Sequence, residues 1–529
     1  MPVRRLPDNP SLEYLRNQAK RLKKVVRAAD TAALELVAEF HPRPLPGPLG
    51  RPAGPPLVVG DPLSGFRARP AGSPVEGDPR SGLIARPAGP SPVGGPRSPE
   101  GFTLADAQLT VARSYGFASW PRLRAHLDVL ARHSRSPHLV PRSADPVAEF
   151  LRLACLPYGN DDPSRRREAA RALALDPGLA VASVHTMAAT GQAEAMAATL
   201  AADPAQARAE GGPHRWEPLL YMAYSRVEGG DALETARSLL AHGADPDAGY
   251  LWDGLTSPFT ALTGVFGGGE RGEPPHPRSA ELARLLLEAG ADPNDGQTLY
   301  NRGLCGFGSD DTEHLELLFE YGLGRGDGGP WHRRLGPTHA TPEQMLQDEV
   351  FASVIRGRPR RLRLLIERGA GVDGPGTGHP IFEGRTPYEL AVLGGNVEMA
   401  AMLAEAGAAG SLDEVDLFLG ACMRAERLDA APGLVARAVE RVPHLVNRAA
   451  VSGNVEAVRL MASLGFEVGL VRRTSPLHEA AWAGDLPMVR ALLELGADPS
   501  ARDTEFGATP QGWAEHGGRH EVAAYLASL

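Results

Sequence analysis

Apolar side chains near the start of the chain are spaced by three and four positions. This spacing places them on one face of a helix. The pattern predicts a helix over residues 9–30, capped by Asn9, with an apolar stripe of Leu12, Leu15, Ala19, Leu22 and Val26. A second run, TAALELVAEF, predicts another helix that ends at Phe40.

The periodic pattern stops near residue 41 and returns near residue 101. Residues 42–100 are dominated by Pro, Gly, Arg and Ala, and the phrase RPAG begins at Arg51, Arg69 and Arg86. With no apolar periodicity to bury, this segment is expected to be disordered or polyproline-like. Residues 101–141 are helical again, with a candidate core of Leu104, Leu109, Tyr115, Phe117, Trp120, Leu123 and Leu127. We therefore expect residues 1–41 and 101–141 to form one small helical domain interrupted by an insertion.

A single phrase recurs through the rest of the chain. LLELGADPS has counterparts in LLAHGADPD, LLLEAGADPN and LLIERGAGVD, and the phrase-ending glycines are Gly243, Gly290, Gly322, Gly369, Gly407, Gly465 and Gly496. A unit of about 32 residues explains the short gaps, and inserted loops or a degenerate unit explain the long ones. The period predicts an array of roughly ten or eleven units over residues 145–529.

Residues 474–503 show what one unit is expected to do. Thr474 or Ser475 can cap a first helix, Gly484 can end it, and a second helix, LPMVRALLEL, stops at Gly496. The inward positions are Leu477, Ala480, Ala481, Val489, Leu492 and Leu493. Helices this short are marginal alone, so each pair must bury its apolar face on the next pair, which builds a solenoid.

These residues resemble the ankyrin repeat, whose pattern combines a TPLH-like element with a GAD-like element. SPLHEAAWAG with ELGAD fits it closely, and GRTPYELAVLGGNVEMAAMLAEAGA fits it well. The resemblance implies an all-α ankyrin-repeat solenoid of helix-turn-helix units with short or absent hairpins. The segment DAQLTVARSYGFASWPRLRAHL also looks like a helical leader that precedes ankyrin arrays in bacterial proteins.

Charge is distributed unevenly along a chain whose formal net charge is −9. Residues 1–141 hold 20 basic and 11 acidic side chains, while the remainder holds 35 and 53. The basic part could meet a polyanion or the acidic part of the same chain.

Cellular location is indicated by what the sequence lacks. The three cysteines, Cys155, Cys305 and Cys422, lie far apart, which favours free thiols in a reducing compartment. There is no signal-peptide pattern, and no apolar run approaches the roughly 20 residues needed to cross a bilayer. We expect a cytoplasmic protein with no membrane association.

Motifs that carry catalytic chemistry are missing from the sequence. No phosphate-binding loop, HExxH, GxSxG or CxxC occurs. His516 and His520 have the spacing of a helical metal pair, but a glycine break between them favours a structural interpretation. We therefore expect no enzymatic activity, metal or cofactor, although residues 298–345 contain enough irregular chain to host an unrecognised site.

Binding to a protein is the function that the repeats favour. In the ankyrin family, exposed first-helix positions and hairpin tips line a concave face. Aromatic side chains at such positions are enriched in binding hot spots. The candidate partner-binding residues are Tyr221, Tyr224, Tyr250, Trp252, Leu390, Leu393, Glu479, Trp482 and Trp513.

Two functions remain open from the sequence alone. The first is a monomeric, non-enzymatic scaffold that binds a protein partner on the concave surface. The alternative is a nucleic-acid-associated protein that binds through the basic N-terminal domain, using Arg16, Lys20, Lys23, Lys24 and Arg27 on one helix. No recognition-helix motif supports the alternative, so the protein partner is preferred.

Overall fold

The computed structural model describes residues 6, 11–42, 98–159, 161–270, 272–304 and 310–529. Over those residues the chain has an all-α ankyrin-repeat fold with 27 α-helices and three short strands. The predicted fold class is therefore confirmed.

Four helices at the N-terminal end enclose one apolar cluster. They are α1 (Leu12–Arg27), α2 (Thr31–Phe40), α3 (Leu104–Ser114) and α4 (Trp120–His133). The cap of α1 is Ser11, whose hydroxyl accepts a hydrogen bond from the Tyr14 N–H at 3.0 Å. The predicted cap, Asn9, lies outside the described residues.

The predicted cores of these helices are mostly correct. Leu15, Ala19 and Val26 are fully buried, as the stripe in α1 predicted. Leu104 is an error because it is 37% exposed at the start of α3, and Leu109 is only half-buried. Residues 43–97, which make up most of the segment predicted to be disordered, are not among the described residues.

The middle of the chain contains short helices in pairs, separated by long connections. These are α5 (Pro146–Ala154), α6 (Pro163–Leu175), α7 (Val184–Thr190), α8 (Ala193–Ala202), α9 (Pro218–Tyr224), α10 (Ala232–Ala241), α11 (Ala261–Phe266), α12 (Ser279–Glu288), α13 (Gly296–Arg302), α14 (Glu313–Glu320) and α15 (Gly329–Leu335). First helices stack in one row, in which α9 packs on α7 and α11 packs on α9. Second helices form another row, in which α10 packs on α8 and α12.

The C-terminal part continues both rows. Its helices are α16 (Pro342–Ile355), α17 (Pro359–Glu367), α18 (Pro387–Leu393), α19 (Val397–Glu405), α20 (Glu414–Met423), α21 (Pro432–Arg441), α22 (Leu445–Val451), α23 (Val455–Ser463), α24 (Pro476–Ala483), α25 (Leu486–Glu494), α26 (Pro510–His516) and α27 (His520–Ala527). Short 3₁₀ turns lie between helices at Pro99–Gly101, Pro137–Leu139, Pro177–Val181, Pro204–Arg208, Gly336–Thr338 and Pro380–Phe382.

Three strands form a small sheet in the order β1-β2-β3. They are β1 (Ser134–Arg135), β2 (Gly249–Trp252) and β3 (Pro258–Thr260). Leu251 pairs with Ser134 in the parallel ladder, and Tyr250 pairs with Phe259 in the antiparallel one. The sheet therefore joins the end of α4 to a hairpin of the array.

The unit at residues 474–503 folds as its sequence predicts. Ser475 caps α24 by accepting a hydrogen bond from the His478 N–H, and Gly484 ends this helix in the left-handed conformation. The inward positions Leu477, Ala480 and Ala481 are fully buried. Small alanines at these positions let α24 lie close to α22 and α26 on either side.

Candidate protein-interaction site

The predicted partner-binding residues separate into three groups in the structure. The first group contains Tyr221, Tyr224 and Tyr250, with Trp252 beside them; these three tyrosines and Trp216 form the inner aromatic cluster, and all four rings are fully buried. The ring of Trp216 stacks on Tyr250 at 4.9 Å and lies 5.0 Å from Tyr224, between ring centroids. The expected exposure of Tyr221 and Tyr224 on a concave face is therefore wrong.

Irregular chain covers the inner aromatic cluster. A loop closed by the Gly211–Trp216 bridge lies against Tyr221, whose hydroxyl donates to the Gly211 carbonyl at 2.9 Å. The Tyr224 hydroxyl donates to the carbonyl of Thr260, at the end of the β2–β3 hairpin, at 2.9 Å. The repeat pattern carries no information about these insertions, and a partner that meets the surface of this structure does not reach the three tyrosines.

Trp252 is half-buried beside the same hairpin. Its indole N–H donates to the Pro157 carbonyl at 3.1 Å, and its ring stacks on His138 with centroids 4.4 Å apart. His138 lies 3.4 Å from the Asp253 carboxylate. Trp252 therefore helps attach the segment after α4 to the array.

The second group, Leu390 and Leu393 on α18, is also buried, at 9% and 5% exposure. Their expected exposure is wrong, because α18 lies between α16 and α20 and packs on both. Leu390 belongs to the apolar core that precedes it along the array, and Leu393 belongs to the core that follows.

The third group meets at the C-terminal end. We call Glu479, Trp482, Phe506, Trp513 and His516 the C-terminal aromatic surface. Trp482 from α24 and Trp513 from α26 meet edge to face, with centroids 5.9 Å apart. The His516 ring lies nearly parallel to Trp482 at 6.1 Å, and Phe506, 62% exposed, lies 6.4 Å from Trp513. Trp482 and Trp513, both half-buried, are therefore brought together here, and Glu479 lies about one turn before Trp482 on α24.

Asp503 holds the turn around Phe506 and the indole ring of Trp513 by hydrogen bonds. Its carboxylate accepts hydrogen bonds from the Phe506 N–H at 2.6 Å, the Ala508 N–H at 2.8 Å and the Trp513 indole N–H at 2.9 Å. Burial by itself would raise the pKa of Asp503, but these hydrogen bonds outweigh it and lower the pKa to about 2. The loop that carries Phe506 is thus held in one shape.

His478 ties the two repeats together below the same surface. Its Nε2–H donates to the Ala508 carbonyl at 3.1 Å, and its Nδ1 accepts from the Ser475 N–H at 3.3 Å. Burial lowers the pKa of His478, which favours the neutral ring that this pattern requires. His478 therefore links its own repeat to the turn that precedes the next one.

Phe506 was missed at the sequence level although a signal for it was present. It lies in the short turn DTEFGATP, four residues before Pro510, where the ankyrin pattern places a hairpin tip. The expectation that hairpin tips line the binding face would have selected it.

The described residues contain no group of three or more His, Cys, Asp or Glu side chains that could hold a metal ion. No helix among them has the length and apolar content needed to span a bilayer. The stretch 298–345, which the sequence left open for an enzyme site, is occupied over its described part largely by α13, α14, α15 and the start of α16.

Stacked pairs of short helices are the fold of an ankyrin-repeat protein, and ankyrin repeats support a role in protein interaction. The ankyrin repeat family matches residues 473–504. Similar proteins include ARF GTPase-activating protein GIT2 of Mus musculus, which is 35% identical over 81 residues, covering 15% of this chain and 11% of that protein.

Further relatives show the same limited overlap. GIT2 of Homo sapiens is 35% identical over 81 residues, covering 15% of this chain and 10% of the relative. ARF GTPase-activating protein GIT1 of Homo sapiens is 37% identical over 78 residues, covering 14% and 10%. The chain thus spans about a tenth of the length of the curated relatives it matches.

Proposed function

We propose that this chain is a non-enzymatic scaffold that binds a protein partner through the concave side of its ankyrin array. The main contact is the C-terminal aromatic surface. The observation that carries the proposal is the edge-to-face pair of Trp482 and Trp513, which Asp503 holds in place while Phe506 stays exposed. Rigid aromatic side chains bury large areas at a small entropic cost, and they recur in binding hot spots.

The matched relatives are named for ARF GTPase activation. Because the chain spans about a tenth of their length, we propose that the shared part is the interaction module and not the enzymatic part. The proposed surface keeps Glu479, Trp482 and Trp513 from the predicted set. It omits the buried tyrosines of the inner aromatic cluster and the buried leucines of α18.

Site-specific photo-cross-linking tests this function. A benzophenone amino acid replaces Phe506, which is 62% exposed, and the full chain is irradiated in extract of its native host. We expect one or a few defined adducts, because an exposed side chain at the centre of a binding surface lies within reach of the partner. The Trp482→Ala substitution in the same chain should remove those adducts.

The matched control places the same cross-linker at Leu175, which is 77% exposed on a distant helix. Adducts found equally at both positions, or adducts at position 506 that survive Trp482→Ala, would count against the proposal. Circular dichroism of the Trp482→Ala chain checks that the array remains folded.

We also propose the organisation that the sequence predicts: a helical leader from residues 1–41 and 101–141, an insertion at 42–100, and an array over 145–529 with roughly ten or eleven units. The separate apolar cluster of α1–α4 supports the leader. We expect a monomer, a cytoplasmic location and a bacterial source, as the leader's resemblance and the cysteine usage indicate.

Nucleic-acid binding through α1 is the weaker candidate. Arg16, Lys20 and Lys24 are exposed on this helix. Arg27 is engaged within the leader, where its Nε–H donates to the Phe102 carbonyl at 3.1 Å. The basic side of α1 could contact phosphates but has no feature that would recognise bases, so the protein partner remains the proposal.

A further inference from the structure

The row of second helices changes its packing at α21. In the C-terminal part, α19 packs on α17, α25 packs on α23, and α27 packs on α25. The close neighbour of α21 is instead α20, its own first helix, and Ala438 is the buried member of its ten residues. The apolar side chains Leu434, Val435 and Val439 of α21 are therefore only partly buried.

A groove of about 490 Å³ lies beside this irregular unit. Its apolar lining comes from α18, α20, α21 and the connection between the last two, and includes Val392, Leu417, Phe418, Ala421, Leu428 and Leu434. Leu417 is 54% exposed and Leu428 is 51% exposed. Large apolar side chains grouped at a surface mark an interaction site more often than isolated ones do.

Carboxylates dominate the polar part of the groove. Glu414, Glu426 and Asp429 line it together with a single cation, Arg424. Arg424 pairs with Glu426, with 2.7 Å between Nη2 and Oε2, and Glu414 pairs with Arg437 from outside the groove. Asp429 has no ion-pair partner in the described part of the chain. The lining therefore has an excess of negative charge, which favours a basic partner.

We propose that this groove binds an amphipathic helix of a partner protein, with leucine-like side chains on Leu417 and Leu428 and lysine or arginine side chains beside Asp429. No strand among the described residues lines the groove, so it offers no sheet edge to which an extended peptide could add a strand, whereas a helix fills an apolar groove through side chains spaced by three and four positions. The inference rests on the proposed function as a protein contact, but it uses none of the C-terminal aromatic surface.

Fluorescence anisotropy with the full chain tests the proposal. The probe is a labelled peptide of about 18 residues, five helical turns, with a leucine face and a lysine face. The chain carrying Leu417→Ser and Leu428→Ser should bind it at least about tenfold more weakly than wild type, because both apolar anchors are removed. The control chain carries Leu175→Ser and Leu139→Ser, which are 77% and 62% exposed elsewhere, and should bind as wild type does.

Two further peptides separate apolar from charge recognition. A version with glutamate in place of lysine should bind more weakly, and Asp429→Lys in the chain should reduce the preference for the lysine version. Equal affinity of the groove and control chains for the lysine peptide would overturn the proposal. So would tighter binding of a scrambled peptide that cannot form an apolar face.

Other occupants give distinct results. Wild-type dimers that become monomers in the Leu417→Ser and Leu428→Ser chain during sedimentation would assign the groove to a second copy and overturn the proposal. Loss of binding to anionic vesicles in that chain, without loss of peptide binding, would assign it to a lipid surface. Cross-linking at position 506 should be the same in groove and wild-type chains, so failure here does not count against the proposed function.

Discussion

Individual buried carboxylates in this protein act as structural links between neighbouring units. Asp295 caps α13 through the Thr298 N–H at 2.9 Å and accepts a hydrogen bond from the Thr263 hydroxyl of the preceding unit at 3.2 Å. Asp416 accepts from Arg385 at 3.0 Å and from Arg441 at 3.1 Å. Buried charges need such partners because desolvation is costly, so their burial is no sign of catalysis.

Asp348 should make stability depend on pH near neutrality. Burial raises its pKa to about 7, although hydrogen bonds from the Thr377 N–H at 2.8 Å and hydroxyl at 2.6 Å act in the opposite direction. The folded chain then retains a proton that the unfolded chain releases, so the contribution of Asp348 to the free energy of unfolding should fall as pH rises from about 4 to about 7. Asp348→Asn should reduce this slope in urea titrations.

The controls for this prediction use other carboxyl groups. Asp498→Asn alters an exposed carboxyl whose pKa is lowered by hydrogen bonds to Ser500, so it should leave the slope unchanged above about pH 5. Glu349 and Glu217, whose pKa values burial also raises to about 7, should contribute a slope of the same sign that remains in Asp348→Asn. An unchanged slope in Asp348→Asn would contradict the assignment.

At the scale of helices, the ends are specified by local chemistry. Thr341, Thr386 and Ser475 each cap a first helix that begins with proline. Their side chains accept hydrogen bonds from N–H groups that the helix leaves free. Because these contacts lie within four residues, the sequence alone could place the helix ends.

Gly496 provides a test of such an end. It follows α25 with φ of +92°, and a Cβ added there would meet no other atom within 4 Å. Gly496→Ala should therefore lower the free energy of unfolding by about 1 kcal/mol through backbone strain alone. Thermal melting followed by circular dichroism measures the effect.

Gly433 is the matched control for Gly496. It lies within α21, its φ is outside the left-handed region, and an added Cβ would likewise meet nothing within 4 Å. Gly433→Ala should raise stability by roughly 0.5–1 kcal/mol, because alanine is the better helix former. If the free energy of unfolding changed in the same direction in both variants, φ would not be what determines the effect of replacing glycine by alanine.

The helices and the packing of the regular units could be predicted from the sequence, whereas side-chain burial in the irregular units could not. The capping of α24 and the burial of Leu477 follow from one repeat alone. Tyr221 occupies a position that a regular repeat exposes, but an inserted loop buries it, and no repeat pattern describes that loop. Leu390 belongs to the core that precedes α18, so its burial depends on how neighbouring units pack. Trp482 and Trp513 are partly exposed, since no insertion between their units covers them.

At the scale of the whole molecule, the array contains two apolar cores in series. The first extends from Phe150 to Leu403 and the second from Leu393 to Leu526, and they meet at α18. A third cluster holds α1–α4 together, and Val129 and Leu130 of α4 pack on a small patch around Trp331. Since stacked repeats contact mainly their neighbours, stability is expected to be local along the array.

The two cores should therefore respond separately to damage. Leu318 in the first core and Leu492 in the second are both fully buried, and truncation of either to alanine should cost about 2–5 kcal/mol. Hydrogen exchange followed by mass spectrometry should show faster exchange over α20–α27 in Leu492→Ala, with α7–α12 unchanged. Leu318→Ala should show the reverse. If either substitution accelerated exchange equally throughout the array, the units would form one cooperative block, and α18 would be no boundary. Because the groove beside α20 lies at this junction, a helix bound there should also slow exchange in α18 and α20 first.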